Sequence, residues 1–150
     1  MLEFQQLAGY KFKNENLLKL ALTHSSYAKE HGLNSYERLE FLGDAVLEFL
    51  VSDFVYKNMQ LNPGEMTKLR AKLVDEETLS AVVDAMKIAD YVCTGNALGG
   101  KLNKRIKCDV FESLLGAIYL DGGLEFAKEF VNNFLIKNVE NLNALLGAVV

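Results

Sequence analysis

Acidic side chains spaced three and four apart on otherwise apolar helices are the residues of this chain best placed to do chemistry. At about 100° per residue, Glu37, Glu40, Asp44 and Glu48 fall on one narrow stripe. Leu39, Phe41, Leu42, Ala45, Val46, Leu47, Phe49, Leu50 and Val51 fill most of the remaining circumference. A surface helix shows a broad polar face, so this one must be largely buried and takes its acids partly in with it. The segment from Asp109 repeats the arrangement: Asp109 and Glu112 stand one turn apart among Val110, Phe111, Leu114, Leu115, Ala117, Ile118 and Leu120. Gly116, next on that stripe, would let another backbone or a ligand come close.

Acids at such spacing commonly form no more than a solvated face. The same pattern on two apolar helices points elsewhere. Two carboxylates ~4 Å apart repel by ~4 kcal/mol at an effective dielectric near 20, so a half-buried cluster needs compensating cations. No Lys or Arg lies between Arg38 and Lys57, or between Lys107 and Lys128. A divalent cation with oxygen ligands, Mg²⁺ or Mn²⁺, is the economical solution. Cys108, although adjacent to Asp109, is expected to face about 100° away from it. An all-carboxylate site serves either phosphoryl transfer or di-iron redox chemistry in a helical bundle. Di-iron bundles place a His three residues after a Glu, a relation that neither His24 nor His31 has to any acid. Phosphodiester hydrolysis is favoured.

The elements that must position these groups are helical. Asn62-Pro63 reads as a helix start, with the Asn as cap and Pro at the first position, and the helix runs to about Val74. Asp75 offers the next cap, before a segment in which Leu79, Val82, Val83, Met86 and Ile88 recur at three and four. Similar spacing occurs in ENLLKLALTH, in the segment from Ser35 to Tyr56, from Cys108 onward, and in GLEFAKEFVNNFLIKNVENL. Period-two alternation is nowhere sustained. The expectation is a single all-α domain of six or seven helices over residues 1–150, with its longest loop around TGNALGGKLNKRIK.

The 150 residues, 50% hydrophobic and 24% charged with one Pro and no Trp, fit one compact domain. A chain of this length buries ~68–70% of its unfolded surface, enough for a core without staples. The N-terminus lacks the pattern of a signal peptide, and the longest uncharged apolar stretch, residues 141–150, falls far short of the ~20 residues that span a bilayer. Cys93 and Cys108, fifteen apart with no CxxC, match neither a zinc motif nor a disulfide framework, so a cytoplasmic location is expected. The net charge of −4 gives no general electrostatic pull toward nucleic acid.

The segment ERLEFLGDAVL, Glu37 to Leu47, resembles the signature helix of the ribonuclease III family. LTHSSY (Leu22 to Tyr27), PGEMTKLRAKLV (Pro63 to Val74) and CDVFESLLGAIYLDGG (Cys108 to Gly123) resemble the family's other blocks in order and spacing. The resemblance runs from about Tyr10 to about Phe134, and its long acid-bearing motifs make it specific. It implies an all-α endonuclease domain that forms a homodimer and cleaves double-stranded RNA with Mg²⁺ (Mn²⁺ substituting), leaving 5′-phosphate and 3′-hydroxyl ends with a short 3′ overhang, in ribosomal or messenger RNA processing. No membrane and no organic cofactor is involved.

By position in the motifs, Glu40, Asp44, Asp109 and Glu112 match the family's metal-binding acids, with Asp44 and Glu112 catalytic; Glu37 and Glu65 match supporting acids. Phe41 and Leu42 are either ordinary core or the family's contact across the two-fold axis. Two sites related by that axis could cut both strands of one duplex. Thr23, His24, Ser25 and Ser26 either cap a helix or touch the RNA backbone. RNA contacts should be to phosphate and shape, and Lys68, Arg70, Lys72, Lys101, Lys104, Arg105 and Lys107 are the basic candidates, unless the last four are merely a solvated loop. The double-stranded-RNA-binding domain that most bacterial members carry is not in this chain. Cys108 and Ser113 stand where the family commonly has Ala. A non-catalytic, RNA-binding or ribosome-associated relative is the alternative, but such relatives tend to lose acids and this chain has all four. Without the six acids assigned to the cleft, the net charge of −4 becomes +2.

Overall fold

The computed structural model describes residues 1–137 together with Ala144 and Gly147. The apolar stretch 141–150 and the end of the helix expected from Gly123 to about Leu142 lie, apart from those two residues, outside the described part. Among the described residues there are eight α-helices: α1 (Leu2–Ala8), α2 (Glu15–Ala21), α3 (Ser25–His31), α4 (Glu37–Asn58), α5 (Pro63–Leu73), α6 (Glu76–Met86), α7 (Lys104–Gly122) and α8 (Leu124–Val131), the last continued by a π-helical turn at Asn132–Ile136. Strands are absent among these residues apart from one isolated parallel bridge between Thr23 and Cys93. The helices beyond the six segments read from the sequence are α1 and α3, whose seven residues each carry too little periodicity to be read; α1 ends at Gly9, at φ 66°, where a residue without Cβ is at ease.

The helix boundaries follow local chemistry. Asn62 and Glu65 close a capping box at the start of α5, each side chain accepting from the other residue's backbone N–H at 2.9 Å, with Pro63 at the first position. Asp75 caps α6 through Thr78 N–H at 2.8 Å, and Asn103 caps α7 through Ile106 N–H at 2.8 Å. That last cap moves a boundary. The loop expected through Lys107 contains a short 3₁₀ turn at Asn96–Leu98 and stops at Asn103, so Lys104, Arg105 and Lys107 occupy the first turn of α7.

Helices α4 and α7 form the centre and share the most extensive packing in the fold. Every residue from Val110 to Ile118 is buried, because α2, α4, α6 and α8 surround α7. The two central backbones meet at glycines. A Cβ on Gly43 would collide with the carbonyl of Glu112, and one on Gly116 with the carbonyl of Leu39. The close approach expected at Gly116 is therefore to another backbone. Ser113, fully buried on α7, reaches the carbonyl of Ala21 at 2.7 Å and so ties α7 to the end of α2.

A carboxylate cleft between two crossing helices

The glycine crossing brings the acid stripes of α4 and α7 face to face. Glu40 interacts directly with Asp109, and Asp44 with Glu112, while the Glu40 charge is also felt at Glu112. All four acids expected to act together are thus gathered at one place. They differ in exposure: Glu112 is only 9% exposed, Glu40 and Asp109 are half-buried, and Asp44 lies at the solvent edge. Glu37 is exposed in the first turn of α4, near enough for its charge to act on Glu40.

Among the described residues the acids of this cluster outnumber the cations that reach them, and its protonation equilibria move accordingly. Burial, then the charge of Asp109, pushes Glu40 from 4.5 up to about 7. Burial, then the charge of Asp44, pushes Glu112 up to about 8. Asp109 is also raised by burial, with Arg105 pulling the other way. These are carboxyl groups that ionise only at a cost in this environment. Arg105 gives partial relief, its Nε lying 3.2 Å from Asp109 Oδ1. That pair is out of line for a hydrogen bond, and Asp109 Oδ1 is buried without any hydrogen-bond partner among the described residues.

Three further residues neighbour the acids. Tyr36, 2% exposed, stands beside Asp109, Glu40 and Glu37, and burial and their charges raise its phenol. His24 is close enough for its charge to favour ionised Asp109. Cys108 is the clearest correction to the sequence reading. Although its position is rotated from that of Asp109, it precedes Glu112 by one turn, and its thiol donates to Glu112 Oε1 at 3.2 Å. Its Sγ and one carboxylate oxygen each of Asp109 and Glu112 lie within 4.8 Å of one another. The i, i+4 relation of Cys108 to Glu112 was the available signal.

Most of the expected RNA contacts have structural partners. Thr23 is 7% exposed and its hydroxyl donates to the carbonyl of Lys19 at 2.6 Å, so it is not available to a ligand. His24 is the N-cap of α3, its Nδ1 accepting from Ser26 N–H at 3.1 Å, which bears out capping for that block; Ser25 begins the helix half-buried. Ser26 Oγ accepts from Gly95 N–H. Arg70 holds α5 to α4 through Glu48 at 3.3 Å and Ser52 at 3.0 Å, which also takes Glu48 off the acid cluster. Lys104 pairs with Glu77 at 2.6 Å, Arg105 reaches Glu76 at 4.0 Å, and Lys107 pairs with Asp84 at 2.7 Å. Three of the four basic residues before Asp109 are thus neither a solvated loop nor a free cationic patch: they form the first turn of α7 and pair with acids of α6, while Lys101 stays in the loop. Lys68, Lys72 and Lys101 are exposed. Glu65 is brought to the α5 cap rather than to the other acids. Phe41 is 82% exposed beside the cleft on α4, which removes the core reading for it, whereas Leu42 is partly buried against the core.

The class defined by this fold and site is an all-α domain with a four-carboxylate cleft at the crossing of its two central helices. Residues 14–139 match the Ribonuclease-III-like family model, and the chain belongs to that family. It is 41% identical over 145 residues to Ribonuclease 3 of Listeria monocytogenes, a match that takes in 92% of this chain and 63% of the relative. The chain thus spans about 63% of that relative's length. The nuclease domain of ribonuclease III from Campylobacter jejuni superposes with a TM-score of 0.84 at 36% identity, over 94% of this chain and 97% of that one. A second structure of that nuclease domain, described for flexibility in a region involved in dimer formation, gives 0.83 at 37% identity, over 91% and 96%.

Proposed function

We propose that this chain is the catalytic part of a divalent-cation-dependent endonuclease that cleaves double-stranded RNA. The observation that carries the proposal is the pairing of Glu40 with Asp109 and Asp44 with Glu112 across a glycine crossing, with a buried Asp109 oxygen that has no hydrogen-bond partner among the described residues and two carboxyls pushed up to about 7 and about 8. This is an anionic site built without enough cations of its own, and its oxygen donors suit Mg²⁺ or Mn²⁺.

Glu40, Asp109 and Glu112 would hold the ion, and Asp44, at the solvent edge, would orient the incoming phosphate or a second ion. When bound, a divalent ion supplies Lewis-acid activation of water and neutralises charge on the phosphodiester. The protein's own contribution is to hold the carboxylates in place before substrate arrives. Helices α4 and α7 cannot slide at the crossing, because each backbone fills the space left by the other's glycine. Arg105 holds Asp109 in position and Cys108 holds Glu112. No covalent enzyme intermediate is expected, so direct hydrolysis leaving a 5′-phosphate and a 3′-hydroxyl is the proposed course.

Phe41 supports a homodimer through α4: a phenylalanine 82% exposed beside an active cleft invites burial against a second copy. Two clefts related by a two-fold axis would cut opposite strands and leave a short 3′ overhang. With Arg70, Lys104, Arg105 and Lys107 paired to acids, Lys68, Lys72 and Lys101 are left as candidates for phosphate contact, and the expected affinity for duplex RNA is weak with a shallow salt dependence. Ribosomal and messenger RNA precursors are the proposed substrates. The proposed setting is the cytoplasm, without an organic cofactor; both cysteines are free, and no helix among the described residues is long and apolar enough to cross a membrane. The test is incubation of the chain with end-labelled duplex RNA, with and without Mg²⁺, followed by mapping of the ends. Products with 5′-phosphates and 3′ overhangs only when Mg²⁺ is present are expected; intact duplex at saturating Mg²⁺ would refute the proposal.

A further inference from the structure

The thiol of Cys108 changes the donor set of the cleft. Its Sγ donates to Glu112 Oε1 at 3.2 Å, and Sγ, an Asp109 oxygen and a Glu112 oxygen lie within 4.8 Å of one another. A four-coordinate ion with a sulfur ligand at ~2.3 Å and oxygen ligands at ~2.1 Å brings such atoms to ~3.6 Å apart, a movement that a rotation of each side chain supplies. On the same residue, Asp109 Oδ1 is buried without a hydrogen-bond partner among the described residues, although Arg105 Nε lies 3.2 Å away. The cysteine is 7% exposed and anchored in the fully packed part of α7, so its sulfur stays at the cleft whichever ion arrives.

We infer that Cys108, with Asp109 and Glu112, makes this cleft a mixed sulfur and oxygen site that captures thiophilic divalent cations of the Zn²⁺ and Cd²⁺ class in preference to Mg²⁺. The inference rests on the reading of the carboxylates as a divalent-cation site. The selectivity follows from ligand chemistry. Mg²⁺ demands near-octahedral oxygen coordination and retains waters, so it leaves the thiol protonated and hydrogen-bonded to Glu112. A softer ion gains a thiolate bond that no oxygen matches. Capture breaks the S–H bond, forms one metal–sulfur bond, and releases the proton to buffer, directly or by way of the Glu112 carboxylate; nothing is oxidised or reduced. An ion held this way takes the oxygens that the proposed hydrolysis needs, so the same site would be poisoned by the softer metal.

The test is a titration of the full chain with Cd²⁺ in chelator-treated buffer, read by the ultraviolet charge-transfer absorption of the cadmium–thiolate bond, with Mg²⁺ binding measured separately by calorimetry. The wild type and Cys93→Ala are expected to develop the band with one equivalent of Cd²⁺ and to keep it in excess Mg²⁺. Cys108→Ser, which retains a hydroxyl donor for Glu112, is expected to lose the band; circular dichroism checks that it folds. Cys108→Ala provides a second variant should serine disturb packing. Persistence of the band in both Cys108 variants, or its absence from a wild type that binds Mg²⁺, would overturn the inference alone. Binding of neither ion would overturn the inference together with the reading of the cleft as a cation site.

Discussion

Replacing Glu112 with Gln removes one negative charge from the cleft while preserving side-chain size and an acceptor for the Cys108 thiol. In the metal-free protein Glu112 ionises near 8 instead of 4.5, and Glu40 near 7. Between the ordinary carboxylate range and about pH 8 the folded state therefore holds protons that the unfolded chain has released. Where the native state binds more protons, stability falls as pH rises. Asp121 runs the opposite way: burial works against it, but hydrogen bonds from Lys13 N–H, the Tyr10 hydroxyl and Asn14 N–H keep its carboxyl low, so its contribution is complete before this window opens. A shift from 4.5 to about 8 for Glu112 corresponds to at most about 5 kcal/mol at about 1.4 kcal/mol per unit. Because Glu40, Asp109 and Glu112 act on one another, a loss of roughly 2–5 kcal/mol between pH 5 and 8 is expected for the cluster. In a domain of this size that is on the order of 5–15 °C in Tm. The assay is thermal unfolding followed by circular dichroism at pH 5, 6.5 and 8 in EDTA, repeated with excess Mg²⁺. The wild type should melt lower at pH 8 than at pH 5, Glu112→Gln should show a shallower slope and melt above wild type at pH 8, and Mg²⁺ should flatten the wild-type slope. A metal-free wild type as stable at pH 8 as at pH 5 would refute the reasoning.

Other consequences concern the scaffold and the second copy. Gly43→Ala drives a methyl group into the Glu112 carbonyl, and should cost about 1–3 kcal/mol or more, with cleavage falling further than stability because the carboxylates are spread; denaturation and single-turnover cleavage measure the two. Phe41→Ala should shift the chain from dimer to monomer in light scattering, with little change in unfolding at concentrations where the wild type is monomeric, since Phe41 is 82% exposed within one chain. Asn62→Ala opens the capping box at α5 and should lower unfolding free energy by about 1 kcal/mol, measurable in urea, with Mg²⁺ binding unaltered.

What could be read in advance divides along the range of the interactions. The stripes of Glu40 and Asp44 and of Asp109 and Glu112, and the caps at Asn62 and Asp75, are properties of one helix at a time, so spacing reveals them. The meeting of the two stripes was legible because two apolar helices carried the same costly pattern. Partner choice was not. Whether Arg105 faces RNA or Asp109, whether Lys107 is free or held by Asp84, and whether Arg70 points outward or onto Glu48 depend on helices brought together by the fold. Asn103 moved the basic run from a loop into a helix because an Asn cap inside a Gly- and Lys-rich stretch gives little signal by itself. Tyr36 precedes the first turn of α4 and gives no spacing signal, whereas Cys108 stands one turn before Glu112 and could have been read from that spacing.

The central claim is that these carboxylates hold the cation on which RNA cleavage depends. Its most direct test compares wild type with folded Glu112→Gln on one labelled RNA duplex in Mg²⁺ and in EDTA. Cleavage by the wild type in Mg²⁺ alone, and none by Glu112→Gln in either buffer, is the expected result. Cleavage by Glu112→Gln at the wild-type rate, or by the wild type in EDTA, would contradict it.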